Sequence, residues 1–158
     1  MGKTPRQLGH LVIKVRDLKR SEEFYKDWLG LSETGRIGEK MVFLSAHADS
    51  SHELAMIAMG DDTPGPEKNR VGLAHMAWQL DTMDDLRSLH GRLKREKRQF
   101  SIGDHGISLG VYFHDPDGNQ IECFYELTRD KWPQGANVTG GAKFPLPLEE
   151  EALAASDA

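Results

Sequence analysis

An α+β fold built from two βαβββ modules is predicted by three observations. The tetrapeptide Leu8-Gly9-His10-Leu11 returns as Leu73-Ala74-His75-Met76. After each copy an alternating apolar run gives way to helical spacing, so that Leu11, Ile13, Val15, Leu18 and Phe24 keep the offsets of Met76, Trp78, Leu80, Met83 and Leu89. Period 2 followed by period 3.6 is a strand leading into an amphipathic helix. Between the copies, Gly60-Asp61-Asp62-Thr63-Pro64-Gly65-Pro66 is too rich in breakers for either element. A repeated unit carries pseudo-twofold symmetry, so equivalent side chains can converge on one point.

The first strand is expected over about 8–16, and Asp17 is a good N-cap for a helix from Leu18 to Trp28 that stops at Gly30. Leu31 to Ile37 and Lys40 to Ala46 read as a hairpin, and His52 to Ala58 as a further strand. The second module resumes at Val71, where Thr82-Met83-Asp84-Asp85 has the form of a capping box for a helix to about Lys97. Strands near Phe100, Leu109 to His114 and Asn119 to Glu126 follow, the last two joined by Asp115-Pro116-Asp117-Gly118, which suits a type I turn. Neither module can bury both faces of its sheet alone. The expectation is therefore a single domain, 1–127, with modules about 8–58 and 71–127 and a linker over 59–70, paired into a curved eight-stranded mixed sheet with helices outside and a funnel inside. Residues 128–158 show no sustained period and are expected to be a C-terminal arm or flexible tail.

At 158 residues the chain can bury a real core. A net charge of -5 argues against a nucleic-acid partner, which needs a basic field. The basic run Arg92 to Arg98 complements the dipole at the end of the second helix. The single cysteine, Cys123, excludes an internal disulfide framework and reads as core. No apolar stretch approaches the ~18 residues of a membrane span. The start lacks a secretory apolar core, and Arg6 stands where a myristoylation motif needs Ser or Thr, so the expected location is cytoplasmic.

Strand parity separates the histidines from the core. His10, Val12 and Lys14 share one face of the first strand while Leu11, Ile13 and Val15 share the other; His75, Ala77 and Gln79 likewise oppose Met76, Trp78 and Leu80. A lone histidine is more often a satisfied structural residue, and an isolated Glu122 more often a salt-bridged edge carboxylate. Two histidines at equivalent repeat positions, with one carboxylate closing the second copy, favour a metal site of His10, His75 and Glu122 in the funnel. Two imidazoles and one carboxylate leave other positions open and favour Fe(II) oxygenase chemistry, although Mn, Zn, Ni and Co accept similar ligands. His47 and His90 have nothing to support a role, and His114 at the turn is expected to face solvent.

Phe24-Tyr25, Leu29-Gly30-Leu31 and Asp115-Pro116-Asp117-Gly118-Asn119-Gln120-Ile121-Glu122 resemble the vicinal oxygen chelate superfamily, which includes glyoxalase I, fosfomycin and bleomycin resistance proteins and extradiol dioxygenases. The resemblance covers about 8–127 and implies the paired βαβββ fold. Three further features resemble the type I extradiol enzymes: Tyr112 stands ten residues before Glu122, His52-Glu53-Leu54-Ala55-Met56 resembles their His-x-x-Ala-Leu segment, and His105-Gly106-Ile107-Ser108 resembles a His-Gly-Val-Ser stretch. The gap from His105 to Tyr112 is about two residues shorter than in that pattern, and many such enzymes carry two paired modules where this chain has one. What the resemblance implies is an Fe(II)-dependent dioxygenase, in which Mn(II) or another divalent metal could replace the iron, cleaving a small aromatic diol with O2. His52 would shuttle a proton, a task imidazole suits, Tyr112 would hydrogen-bond the substrate oxygen, and His105 would stand nearby. A homodimer is expected. Without the resemblance His52 reads as a loop histidine, Tyr112 as a core aromatic and His105 as a turn residue. A glyoxalase-like isomerase would need a second carboxylate where Ala55-Met56-Ile57-Ala58 has none. A thiol transferase would use the same fold, and a metal-free drug-binding protein would keep the fold while needing neither histidine.

Overall fold

Gly30 adopts the left-handed backbone (φ 67°) that ends the first helix, and its N–H returns to Lys26 O at 3.1 Å. That helix, α1 (Leu18–Leu29), begins where the Asp17 carboxylate accepts the Arg20 N–H at 2.9 Å. These details come from a computed structural model of the protein, which describes Gly2 and residues 4–149. The chain divides into two compact units: the residues up to Arg70 with the turn Asp115–Asn119, and Val71–His114 with the residues from Gln120 onward.

In unit 1, β1 (Leu11–Val15), β2 (Ser32–Ile37), β3 (Met41–Ser45) and β4 (Leu54–Ala58) lie in the order β1-β4-β3-β2. β1 pairs parallel with β4, from Leu11 opposite Leu54 to Val15 opposite Ala58; the other ladders are antiparallel. Ile13 and Val15 are buried while Val12 and Lys14 are exposed, as the alternation requires. Phe24, Tyr25 and Trp28 of α1 are buried with Val42, Leu44, Leu54 and Met56.

The turn Asp115–Asn119 closes as expected, with Gly118 N–H donating to Asp115 O at 3.2 Å. Its carboxylates do more than shape it. Asp115 Oδ2 accepts the buried Tyr25 hydroxyl at 3.0 Å, and burial together with that carboxylate drives the phenol pKa far above its usual value. Asp117, itself buried, takes Arg16 Nη1 at 3.0 Å, Arg20 Nη2 at 2.8 Å, the Arg16 backbone N–H at 3.1 Å and the Ser21 hydroxyl at 3.2 Å.

In unit 2, β5 (Met76–Gln79), β6 (Ser101–Asp104), β7 (Ser108–His114) and β8 (Gln120–Glu126) repeat the pattern as β5-β8-β7-β6, with β5 parallel to β8. α2 (Met83–Arg95) opens with the expected capping box: Thr82 Oγ1 accepts the Asp85 N–H and Asp85 Oδ2 accepts the Thr82 N–H, both at 3.1 Å. Cys123 is fully buried, and burial pushes its thiol up to about 12. From Thr128 the chain runs along this unit. Phe144 is buried, its N–H on Asp104 Oδ1 at 3.0 Å, and Arg87 Nη2 donates to Pro147 O at 3.0 Å. The acidic and alanine-rich close, 150–158, lies outside the described residues.

One architectural expectation is corrected. The strands are hydrogen-bonded as two four-stranded mixed sheets rather than as one sheet of eight. β1 and β5 are short strands, each spending one edge on the last strand of its own module. Periodicity reports which face of a strand is apolar but not which backbone takes its hydrogen bonds. Among the described residues no helix is long and apolar enough to cross a membrane.

Candidate metal site

The two faces of unit 2's sheet differ in chemistry. Met76, Ile121, Cys123, Val111 and Phe113 are buried on the face that alternation assigns to α2. On the other face the ladders place Ala77, Glu122 and Tyr112 in one row and Gly103, Gly110 and Phe124 in the next. Glu122 is only 7% exposed, and a carboxylate so far from water needs partners. Its Oε2 lies 3.1 Å from His75 Nε2, just before β5, and its Oε1 lies 3.9 Å from His105 Nε2. Tyr112 stands directly opposite, and its phenol pKa is raised by burial and then by the hydrogen bond and charge of Glu122. The same hydroxyl is 2.9 Å from His105 Nε2, and the Tyr112 ring meets His75 edge to face at 5.5 Å. His75, His105, Tyr112 and Glu122 are thus gathered at one place.

His10 and His52 are gathered in unit 1. The parallel β1–β4 register, extended by Leu11 N–H donating to Glu53 O at 2.9 Å, sets these rings side by side with centroids 4.4 Å apart. Phe43 meets His52 edge to face at 5.0 Å. Both residues precede their strands, which start later than the alternation suggested. Glu53 is a loop staple: against the cost of burial, hydrogen bonds from Ser50, Ala46 and Ser45 hold its carboxyl below the usual range.

The His75–Glu122 pair fits a divalent ion. Two donors bound at ~2.1 Å and meeting at a right angle stand ~3.0 Å apart, close to the 3.1 Å separation here. Nitrogen beside carboxylate oxygen suits Mn, Fe or Zn. Among the described residues no group of three or more His, Cys, Asp or Glu side chains forms a metal cluster.

Two site residues escaped the sequence reading. Gly103 and Gly110 are paired within β6 and β7, and their only signal was glycine inside a strand. His90, without a proposed role, is buried in α2 with Phe100 edge-on at 5.1 Å. His114 is exposed at the end of β7.

Residues 7–123 match the family described as Glyoxalase/Bleomycin resistance protein/Dioxygenase superfamily. The chain is 28% identical over 133 residues to the manganese-dependent 2,3-dihydroxybiphenyl 1,2-dioxygenase of Geobacillus genomosp. 3, covering 82% of this chain and 39% of that protein. It is 30% identical over 132 residues to the catechol-2,3-dioxygenase of Bacillus subtilis, covering 79% and 43%. It is also 26% identical to the lactoylglutathione lyase of Escherichia coli O157:H7, covering 76% of this chain and 93% of that one. The chain thus spans about two fifths of the first two relatives and nearly all of the third. A glyoxylase/bleomycin resistance protein/dioxygenase domain from Frankia sp. EAN1pec has the same fold, with a TM-score of 0.65 at 21% identity over 78% of this chain and 100% of that one.

Proposed function

The chain belongs to the Glyoxalase/Bleomycin resistance protein/Dioxygenase superfamily, and from that premise we propose that it is an extradiol dioxygenase, opening the ring of a small catechol-type diol with O2 at an Fe(II) or Mn(II) held by His10, His75 and Glu122. The observation that carries this reading is the His75–Glu122 pair, 3.1 Å apart, beside the hydrogen-bonded Tyr112 and His105. The dioxygenase relatives support the reaction class, and the manganese named for one of them supports a divalent ion.

When bound, such a metal supplies Lewis acidity toward a chelated diol and a common seat for both reactants. The protein's own groups do the rest. Tyr112, its proton held tightly by burial and Glu122, donates a hydrogen bond to a substrate oxygen. His105, on the same hydroxyl, orients it. His52, seated against Phe43 and His10, accepts the diol proton and returns it to the product. A cytoplasmic homodimer belongs to the same proposal.

The lactoylglutathione lyase relative, matched over nearly its whole length, favours a second reading as a metal-dependent isomerase. Against it stands β4, where Leu54 to Ala58 offer no carboxylate. Anaerobic loading with Fe(II), then a panel of catechols with O2, separates the two. A yellow ring-fission product that His75→Ala does not make is the expected result. Bound metal without product from any catechol, together with turnover of a glutathione hemithioacetal, would establish the isomerase instead.

A further inference from the structure

Gly103 and Gly110 stand in strand interiors, where glycine weakens pairing. Neither has the positive φ that would exclude a side chain. What excludes one is a neighbour. A Cβ on Gly110 would lie 2.5 Å from Glu122 Oε1, 3.2 Å from its Cγ and 3.3 Å from its Cδ. On Gly103 it would lie 2.7 Å from Tyr112 Cε2, 3.0 Å from His105 Nε2 and 3.3 Å from the Tyr112 hydroxyl. Comfortable carbon contacts begin near ~3.5 Å.

The ladders explain the pattern. Gly103 pairs with Gly110 and Gly110 with Phe124, whereas Tyr112 pairs with Ser101 and with Glu122. Glu122 is therefore the diagonal neighbour of Gly110, and Tyr112 the diagonal neighbour of Gly103. Each functional side chain leans across the adjacent strand onto a glycine, and both lean the same way.

We propose that Gly110 and Gly103 are positioning residues of the site, Gly110 setting the Glu122 carboxylate for its metal and Gly103 seating the Tyr112–His105 pair. This rests on the ligand role of Glu122 proposed above. A methyl group at Gly110 displaces the carboxylate that meets His75. A methyl group at Gly103 meets the phenol and His105 and reaches the His75–Glu122 pair only through them.

The test combines Mn(II) calorimetry on the full chain with melting of the metal-free protein. Gly110→Ala is expected to weaken Mn(II) binding by at least ~10-fold, the scale of a lost supporting contact, and Gly103→Ala by less than Gly110→Ala, because its methyl group meets the phenol and not the carboxylate. Gly110→Ala should also lower the metal-free melting temperature when Glu122 is present and leave it equal or higher in a Glu122→Ala background, where alanine pairs better than glycine. Gly103→Ala should show the same dependence on Tyr112, tested against Tyr112→Ala. Equal loss of Mn(II) from both glycine variants, unchanged affinity in Gly110→Ala, or melting penalties indifferent to the partner would each overturn the proposal. If the unaltered chain takes up no Mn(II), the ligand reading fails, and the metal-free melting series still decides whether each glycine acts through its partner.

Discussion

His75 Nε2 and Glu122 Oε2 lie 3.1 Å apart, a spacing that matches two adjacent ligands of one divalent ion, the role proposed for them above. Glu122→Gln keeps the shape and removes the charge. It should weaken Mn(II) binding at least ~100-fold, since even supporting residues cost up to that much, while circular dichroism stays unchanged. Retained affinity would remove Glu122 from the ligand set.

His52→Phe keeps an aromatic ring against Phe43 and His10 but cannot carry a proton. Metal content should be unchanged and kcat should fall ~100-fold, within the usual range for acid–base catalysis. Steady-state assays on the best catechol check this. An unaltered kcat takes His52 out of the proton path.

Asp117→Ala removes one buried carboxylate from two arginines and a serine. Arg16 and Arg20 are partly open to water and can rehydrate, so the cost should be about 2–3 kcal/mol, the scale of charge-assisted hydrogen bonds. Urea unfolding measures it. A loss under about 0.5 kcal/mol would make the cluster a surface ornament of the kind exposed pairs form.

His90 carries a pH dependence. Burial and the nearby Lys94 charge lower its pKa below the ordinary 6.5, with Glu149 opposing. Between the folded and unfolded values the unfolded chain binds the extra proton, so stability rises with pH through that window and is lost as pH falls below about 6.5. The drop in melting temperature from pH 7.5 to 5.5 should be smaller in His90→Gln. An identical drop would place the sensitivity elsewhere.

The Cys123 thiol, buried and pushed up to about 12, should react slowly with a disulfide reagent at pH 8. In urea, reaction should be complete within the mixing time. Rapid native modification would mean that β8 opens readily.

Much of this was legible in residue order. The caps at Asp17, Gly30 and Thr82 and the alternation around Ile13 and Met76 reflect local forces that act within a few residues, and each stands where expected. Strand parity set His75 and Glu122 on the face away from their helix, whereas Tyr112 and His105 were singled out only by resemblance, and their approach to that pair is visible only in the folded chain. Division into two sheets was not legible, because ladder partners are chosen by backbones far apart in sequence. Nor was the use of Gly103 and Gly110, whose value lies in what their neighbours occupy. Asp115 and Asp117 read as turn formers, yet their partners Tyr25 and Arg16 lie about a hundred residues earlier.

That last arrangement bears on how the polypeptide can be divided. The segment 59–70 looks like a natural place to split it, yet unit 1 includes residues 115–119. A fragment ending at Arg70 would keep the Tyr25 hydroxyl, Arg16 and Arg20 but lack the carboxylates that complete them. A fragment ending at Arg70 is therefore expected to be less stable than the same residues in the whole chain, and to gain stability when the complementary fragment supplies Asp115 and Asp117.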